Sequence, residues 1–158
     1  MGRLPFTKSF QRLAVCVALV AASANSSAQL IVATNTTLPT PLSIATLDPL
    51  GVTVANGAVL TITAAGGGAV TNSTTLLLSS TGSLTELIVS GGTVTFSGGG
   101  NITLGNSANN VIFGSSGSDV LVNAADHTIQ GAGSLGSNQL VVTNQGLIAA
   151  TQSATPLI

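Results

Sequence analysis

The sequence predicts an all-β chain wound as a parallel β-helix (β-solenoid), preceded by a secretory leader. Three observations predict it. Short apolar stretches, each closed by Gly or Asn, recur from Gly51 to Ala150 about seven to twelve residues apart. Several alternate strictly: Leu60 and Ile62 against Thr61 and Thr63, Val94 and Phe96 against Thr93 and Thr95, Ile102 and Leu104 around Thr103. A period of two is that of a strand with one face buried and one exposed. Finally, Thr (20), Gly (18), Ser (14) and Asn (10) make up 62 of the 130 residues from Gln29 to Ile158. Disorder would account for the Gly and Ser but not for the dense Val, Ile and Leu among them. Thr, Val and Ile favour strands, and Gly and Asn favour the turns between them.

The first 28 residues are set apart from the fold. Arg3, Lys8 and Arg12 form a positive start, and Leu13 to Ala24 a short apolar run. Small residues at Ser26 and Ala28 then place signal cleavage between Ala28 and Gln29. The apolar run is well short of the roughly 20 residues that span a bilayer. A lipoprotein attachment at Cys16 is disfavoured by the bulky Val15 before it and by the apolar residues that continue after it. The division is therefore leader 1–28, lead-in or N-terminal cap 29–50, and solenoid repeats 51–158, expected to be incomplete at the C-terminal end.

Removing the leader removes all Lys and Arg and the single Cys. The mature chain keeps Asp48, Glu86, Asp119 and Asp126, a formal charge of −4. Nothing is left to neutralise phosphate, which argues against nucleic acid as a partner. Attraction to an anionic membrane surface fails for the same reason. Without Cys no disulfide framework forms, so burial and backbone pairing must carry the stability.

Taken in order, Pro39, Pro41 and Pro49 make the lead-in an edge strand, an extended cap or a loose tail. From there the expected strands are 51–55, 58–64, 74–80, 84–90, 92–97, 101–105, 110–114, 119–123, 127–131, 139–144 and 146–150. Two or three strands per turn give coils of roughly 17 to 25 residues. Five or six such coils stack into a rod with apolar ladders inside and Thr, Ser and Asn outside. The competing architecture is an antiparallel sandwich or barrel, for which Asn56-Gly57 is a hairpin signal.

The phrases TIQGAGSLGSNQLVVTNQGLIAA (128–150) and GGTVTFSGGGNITLG (91–105) resemble the β-helical passenger regions of bacterial autotransporters and filamentous-haemagglutinin-type adhesins. The likeness covers about two-thirds of the chain and lies in repeat style. It implies a right-handed coil, display at or release from a bacterial outer surface, and contact with carbohydrate or protein on a host or neighbouring cell. Such proteins usually continue into an outer-membrane β-barrel or a sorting tail. The expectation is thus the N-terminal piece of a longer protein, or a truncated reading frame.

The candidate chemistry is sparse. Gly114 to Val122 (GSSGSDVLV) approximates the calcium nonapeptide G-G-x-G-x-D-x-U-x, with Asp119 at the acidic position. The preceding nine residues keep the register with Asn110 there. Calcium takes six to eight oxygens, and one Asp and one Asn are a poor set, so ordinary polar bends are the favoured reading and the metal candidates are weak. Asp126-His127 is the only acid–imidazole neighbour pair. Adjacent strand residues point to opposite faces, so Asp126 is badly placed to orient the ring, and a solvent-facing bend is expected. No G-x-S-x-G elbow is present for a hydrolase. Glycosidases need clustered carboxylates, and these four are scattered, although Asp119 and Asp126 are open to meeting on neighbouring turns. Sequons at Asn35, Asn72 and Asn101 carry no role.

Three functions are therefore weighed. The favoured one is an exported structural or adhesive solenoid without catalysis or cofactor. The others are a carbohydrate-active β-helix enzyme whose carboxylates lie further along, and a calcium-dependent repeat module. Leu76-Leu77-Leu78 and Leu87-Ile88-Val89 lie in windows almost free of charge, so self-association through open coil ends is also expected.

Overall fold

Residues 29–153 and 155–158 are described by a computed structural model. The leader, with Ala28 of its cleavage site, lies outside the described residues. The chain is a parallel β-solenoid with three strands per coil, and every one of its strand pairings is parallel.

The first coil comprises β1 (Leu30–Val32), β2 (Thr36–Pro39) and β3 (Leu42–Ser43). A single helical turn, α1 (Ile44–Leu47), follows; the Ser43 hydroxyl accepts from the Thr46 N–H at 3.3 Å, and Ile44 is fully buried. The second coil is β4 (Val52–Ala55), β5 (Val59–Thr63) and β6 (Ala69–Thr71). The third is β7 (Thr75–Ser79), β8 (Thr85–Ser90) and β9 (Thr93–Ser97). The fourth is β10 (Asn101–Leu104), β11 (Asn110–Gly114) and β12 (Val120–Asn123). The fifth is β13 (Thr128–Gly131), β14 (Ser134–Gly136) and β15 (Val141–Asn144), and β16 (Leu147–Ala150) opens a sixth.

Three sheets result. Sheet A stacks β1, β4, β7, β10, β13 and β16; sheet B stacks β2, β5, β8, β11 and β14; sheet C stacks β3, β6, β9, β12 and β15. Residues 156–158 extend sheet B beyond β14, with the Gly133 N–H donating to the Pro156 carbonyl at 3.0 Å and the Ile158 N–H to Gly133 at 2.9 Å.

All eleven expected strands are present, within two residues at each end. The lead-in supplies the first rung of all three sheets, so pairing begins at Leu30. The coils are uneven in length: along one ladder the chain goes from Leu30 to Val52, Leu76, Ile102, Ile129 and Ile148. The Asn56-Gly57 signal makes a turn, with the Ala58 N–H on the Ala55 carbonyl at 3.0 Å. It bends the chain from sheet A into sheet B and does not fold β5 back on β4, which explains why a good hairpin dipeptide did not make a hairpin.

The core is the set of inward ladders. Val52, Leu76, Ile102 and Ile129 in sheet A, and Leu60, Leu87 and Ile112 in sheet B, have no exposed surface. Each such side chain contributes about 1.5–3 kcal/mol by leaving water. In sheet C one inward column changes character as it rises: Val70, Phe96, Asn123, Asn144. Corners are tight. Gly131 has φ +121°, and a Cβ there would sit 1.8 Å from the Leu104 carbonyl oxygen of the coil below, so only glycine fits.

Candidate functional site

The strongly buried polar side chains of the coils stand at corners, where the backbone leaves its sheet and its N–H and C=O groups need partners. At the A–B corner the Asn110 carboxamide accepts from the Ser80 N–H at 2.9 Å and donates to the Gly105 and Ser107 carbonyls. Thr85 accepts there from the Gly57 N–H of the coil below at 3.1 Å. At the B–C corner Thr40 ties Thr63 and Gly68. Asp119 stands at the same corner, three coils on. One of its oxygens accepts from the Gly92 N–H at 2.8 Å; the other accepts from the Ser116 N–H and the Ser115 and Ser116 hydroxyls. Burial works to raise the Asp119 pKa, and the Gly92, Ser115 and Ser116 donors outweigh it, holding the carboxyl below its usual range.

These positions bear on the weak metal candidates. Asp119 and Asn110 lie at different corners, on either side of β11, and each spends its oxygens on N–H or O–H donors of its own corner. Among the described residues no three His, Cys, Asp or Glu side chains gather as a metal-ligand group. Asp119 and Asp126 flank the same strand, β12, and do not face each other from neighbouring turns. Asp126 is exposed and accepts from the Gly98 N–H at 2.9 Å.

His127 is the residue that sequence reasoning misjudged. It is 1% exposed, not part of a solvent-facing bend. At the C–A corner its Nδ1 lies 2.7 Å from Asn123 Oδ1, and its Nε2 lies 3.1 Å from Asn72 Nδ2, two coils below. The tautomer follows from the partners. Asn72 also donates to the Asn101 carbonyl and accepts from the Thr74 N–H, so its nitrogen faces Nε2. Asn123 donates to Asn144 Oδ1 at 2.7 Å and to the Leu147 carbonyl at 3.1 Å, so its oxygen faces Nδ1. The ring is therefore neutral, with the proton on Nδ1. The Phe96 ring packs against it, centroids 5.6 Å apart. Burial lowers the His127 pKa from its ordinary 6.5, against a smaller upward pull from Asp126.

The remaining candidate surfaces are the three outward faces. Sheet A shows the column Ile31, Thr53, Leu77, Thr103, Gln130 and Ala149. Sheet B shows Thr37, Thr61, Ile88 and Phe113 beside Val59, Glu86 and Val111. Sheet C shows Thr95, Val122 and Thr143. The expected hydroxyl rows are thus interleaved with half-buried apolar side chains, most densely on sheet B. Glu86 is the single acidic residue on these faces among the described residues, and no basic one joins it.

Together the ladders, corners and faces define a class: a three-sheeted parallel β-solenoid whose coils are stitched by buried Asn, Thr, Asp and His at the corners. No family model, curated protein or solved structure matches the chain. Among the described residues no helix is long and apolar enough to cross a membrane.

Proposed function

We propose that the protein is an exported structural or adhesive β-solenoid of the bacterial cell surface, akin to autotransporter and haemagglutinin-type passengers, acting without catalysis. The observation that carries this reading is the run of continuous parallel ladders, which presents three faces on which Thr alternates with half-buried apolar side chains. Such faces suit many weak contacts in parallel, where linked contacts raise overall avidity far above that of any one. Carbohydrate or protein on a host or neighbouring cell is the partner class. The lack of Lys and Arg after residue 28 disfavours nucleic acid. The buried carboxylate of Asp119 is engaged by donors and Asp126 stands apart from it, which favours a scaffold over a glycosidase.

Self-association belongs to the same reading. β15 and β16 each pair on one side, and Val141 (49%) and Leu147 (56%) lie exposed beside the half-buried Val142 and Ile148. Edges of this kind accept a further parallel strand. Concentration-dependent sedimentation of the mature chain is expected.

The deciding experiment is the intact mass of the native product, taken separately from the cell surface and the medium. A product beginning at Gln29 in either fraction supports export. A product retaining residues 1–28 and confined to the cytosol contradicts it.

A further inference from the structure

We propose that His127 is a proton-sensitive latch that holds the last coils to the stack: acidification unfastens the C–A corner and frees the segment Thr128–Ala150. The proposal is independent of what the outer faces bind.

The geometry carries it. Asn123, whose oxygen takes the His127 Nδ1 proton, is the residue that reaches forward to Asn144 and to the Leu147 carbonyl at the entry of β16. Asn72, on the other side of the ring, belongs to the corner between the second and third coils. The chain Asn72–His127–Asn123–Asn144 therefore links corners from the second coil to the fifth, with the imidazole bridging Asn72 to Asn123. It does so across the third coil's own corner, which is Gly98-Gly99-Gly100 and places no side chain in the way. A Cβ at Gly100 would fall 2.3 Å from the Thr74 carbonyl oxygen and 2.5 Å from that of Asn72, so this gap depends on glycine.

Each amide is committed. A second proton on the ring would put an N–H at Nε2 against the Asn72 NH2, donor facing donor. Asn72 cannot turn its oxygen to the ring without losing the Asn101 carbonyl and pressing its NH2 on the Thr74 N–H. Asn123 cannot compensate, because its oxygen already serves Nδ1. A protonated ring is thus left with one unsatisfiable buried donor and a charge taken out of water, and opening the corner to water is the way out.

Charged groups around the ring are few. The end of β6, β9, the corner before β10, β12 and β16 turn no acid or base towards it. Among the described residues Asp126, next along the chain, is the one titratable neighbour, and its exposed carboxylate is held by the Gly98 N–H. Asp48 stands at the same corner one coil below Asn72, where it accepts from the Leu30 and Leu50 N–H groups. Because burial depresses the closed-state pKa, stability is complete above pH 6.5 and is lost as pH falls below it. The ceiling on the effect, set by the ordinary 6.5 of an open ring alone, is about 30-fold easier opening between pH 7.5 and 5.0.

The chain has one histidine, so ring NMR reads the latch directly. Ring nitrogen shifts and amide hydrogen exchange, corrected for intrinsic rates, would be followed on the same sample from pH 7.5 to 5.0. The expected result is a neutral Nδ1–H ring at pH 6.5, with residues 128–150 losing up to about 30-fold protection on acidification while residues 52–63 keep theirs. Asp126→Asn, which removes an upward pull on the closed ring, should leave the onset of that loss in place and deepen it at the acid end, and His127→Gln should abolish its pH dependence. A ring that titrates at 6.5 with protection unchanged overturns the proposal, as does a loss that persists in His127→Gln. Should that variant fail to fold, the native protein decides alone: protection of residues 128–150 must begin to fall near pH 6.5 while the ring still reports the neutral Nδ1–H form, and protection that stays flat down to pH 5.0 overturns the proposal.

Discussion

Two strands of nearly the same sequence meet opposite fates. β12 reads Val-Leu-Val-Asn and β15, directly above it in sheet C, reads Val-Val-Thr-Asn. In β12 Leu121 and Asn123 are fully buried; in β15 Val142 is half-buried and Asn144 exposed. The residues at the two sites differ little, so the burial comes from the neighbours. β12 has β9 below and β15 above, whereas β15 pairs with β12 alone. In a solenoid a side chain is buried by the coils on both sides of it, and stability accrues per interface between coils. Pattern identifies which residues point inward, and position in the stack decides how much that is worth.

The largest expected effect separates the two ends of one inward column. Phe96→Ala, in the middle of the stack, should cost about 3–5 kcal/mol in urea unfolding. Asn144→Ala, two coils on at an exposed site, removes one acceptor from Asn123 and should cost only about 1 kcal/mol. Comparable costs at both sites would mean that β15 is covered as completely as β9.

Glycines sharpen the contrast next. Gly131→Ala forces a Cβ onto the Leu104 carbonyl at a left-handed φ, and should cost at least about 2 kcal/mol. Gly117→Ala, at a corner with nothing within 4 Å of the new Cβ, should leave the melting temperature nearly unchanged. A smaller difference is expected between two corner amides. Asn123→Ala strips partners from His127, Asn144 and Leu147 and should cost about 1–3 kcal/mol. Asn56→Ala loses acceptance from the Thr81 and Ser83 N–H groups at an exposed corner, where water takes over, and should cost under about 1 kcal/mol.

The legible part of this fold was its periodicity. Val94-Thr95-Phe96 and Ile102-Thr103-Leu104 announce their faces because a strand alternates at every residue. β6 and β14 were missed, since Ala69-Val70-Thr71 and Ser134-Leu135-Gly136 are three residues long and sit among glycines. The first coil was hidden by Pro39 and Pro41, which read as breaks yet stand at the end of β2 and in the corner after it. The Asn72–His127–Asn123 set was not legible at all. Its members lie 55 and 4 residues apart, and uneven coil lengths deny any fixed spacing from which to align Asn72 beneath the ring. His127 looked solvent-facing because its neighbours Ala125 and Asp126 are; its own burial is a property of two other coils.

The central claim is that each strand lies parallel between its counterparts one coil back and one coil forward. Interstrand NOE contacts of the Ile102 backbone test it most directly. Parallel pairing predicts contacts from Ile102 to the neighbourhoods of both Leu76 and Ile129, with no close Hα–Hα pairs between β4 and β5. Antiparallel Hα–Hα contacts between Val52–Ala55 and Val59–Thr63, across Asn56-Gly57, would contradict it and turn the chain into a sandwich of hairpins.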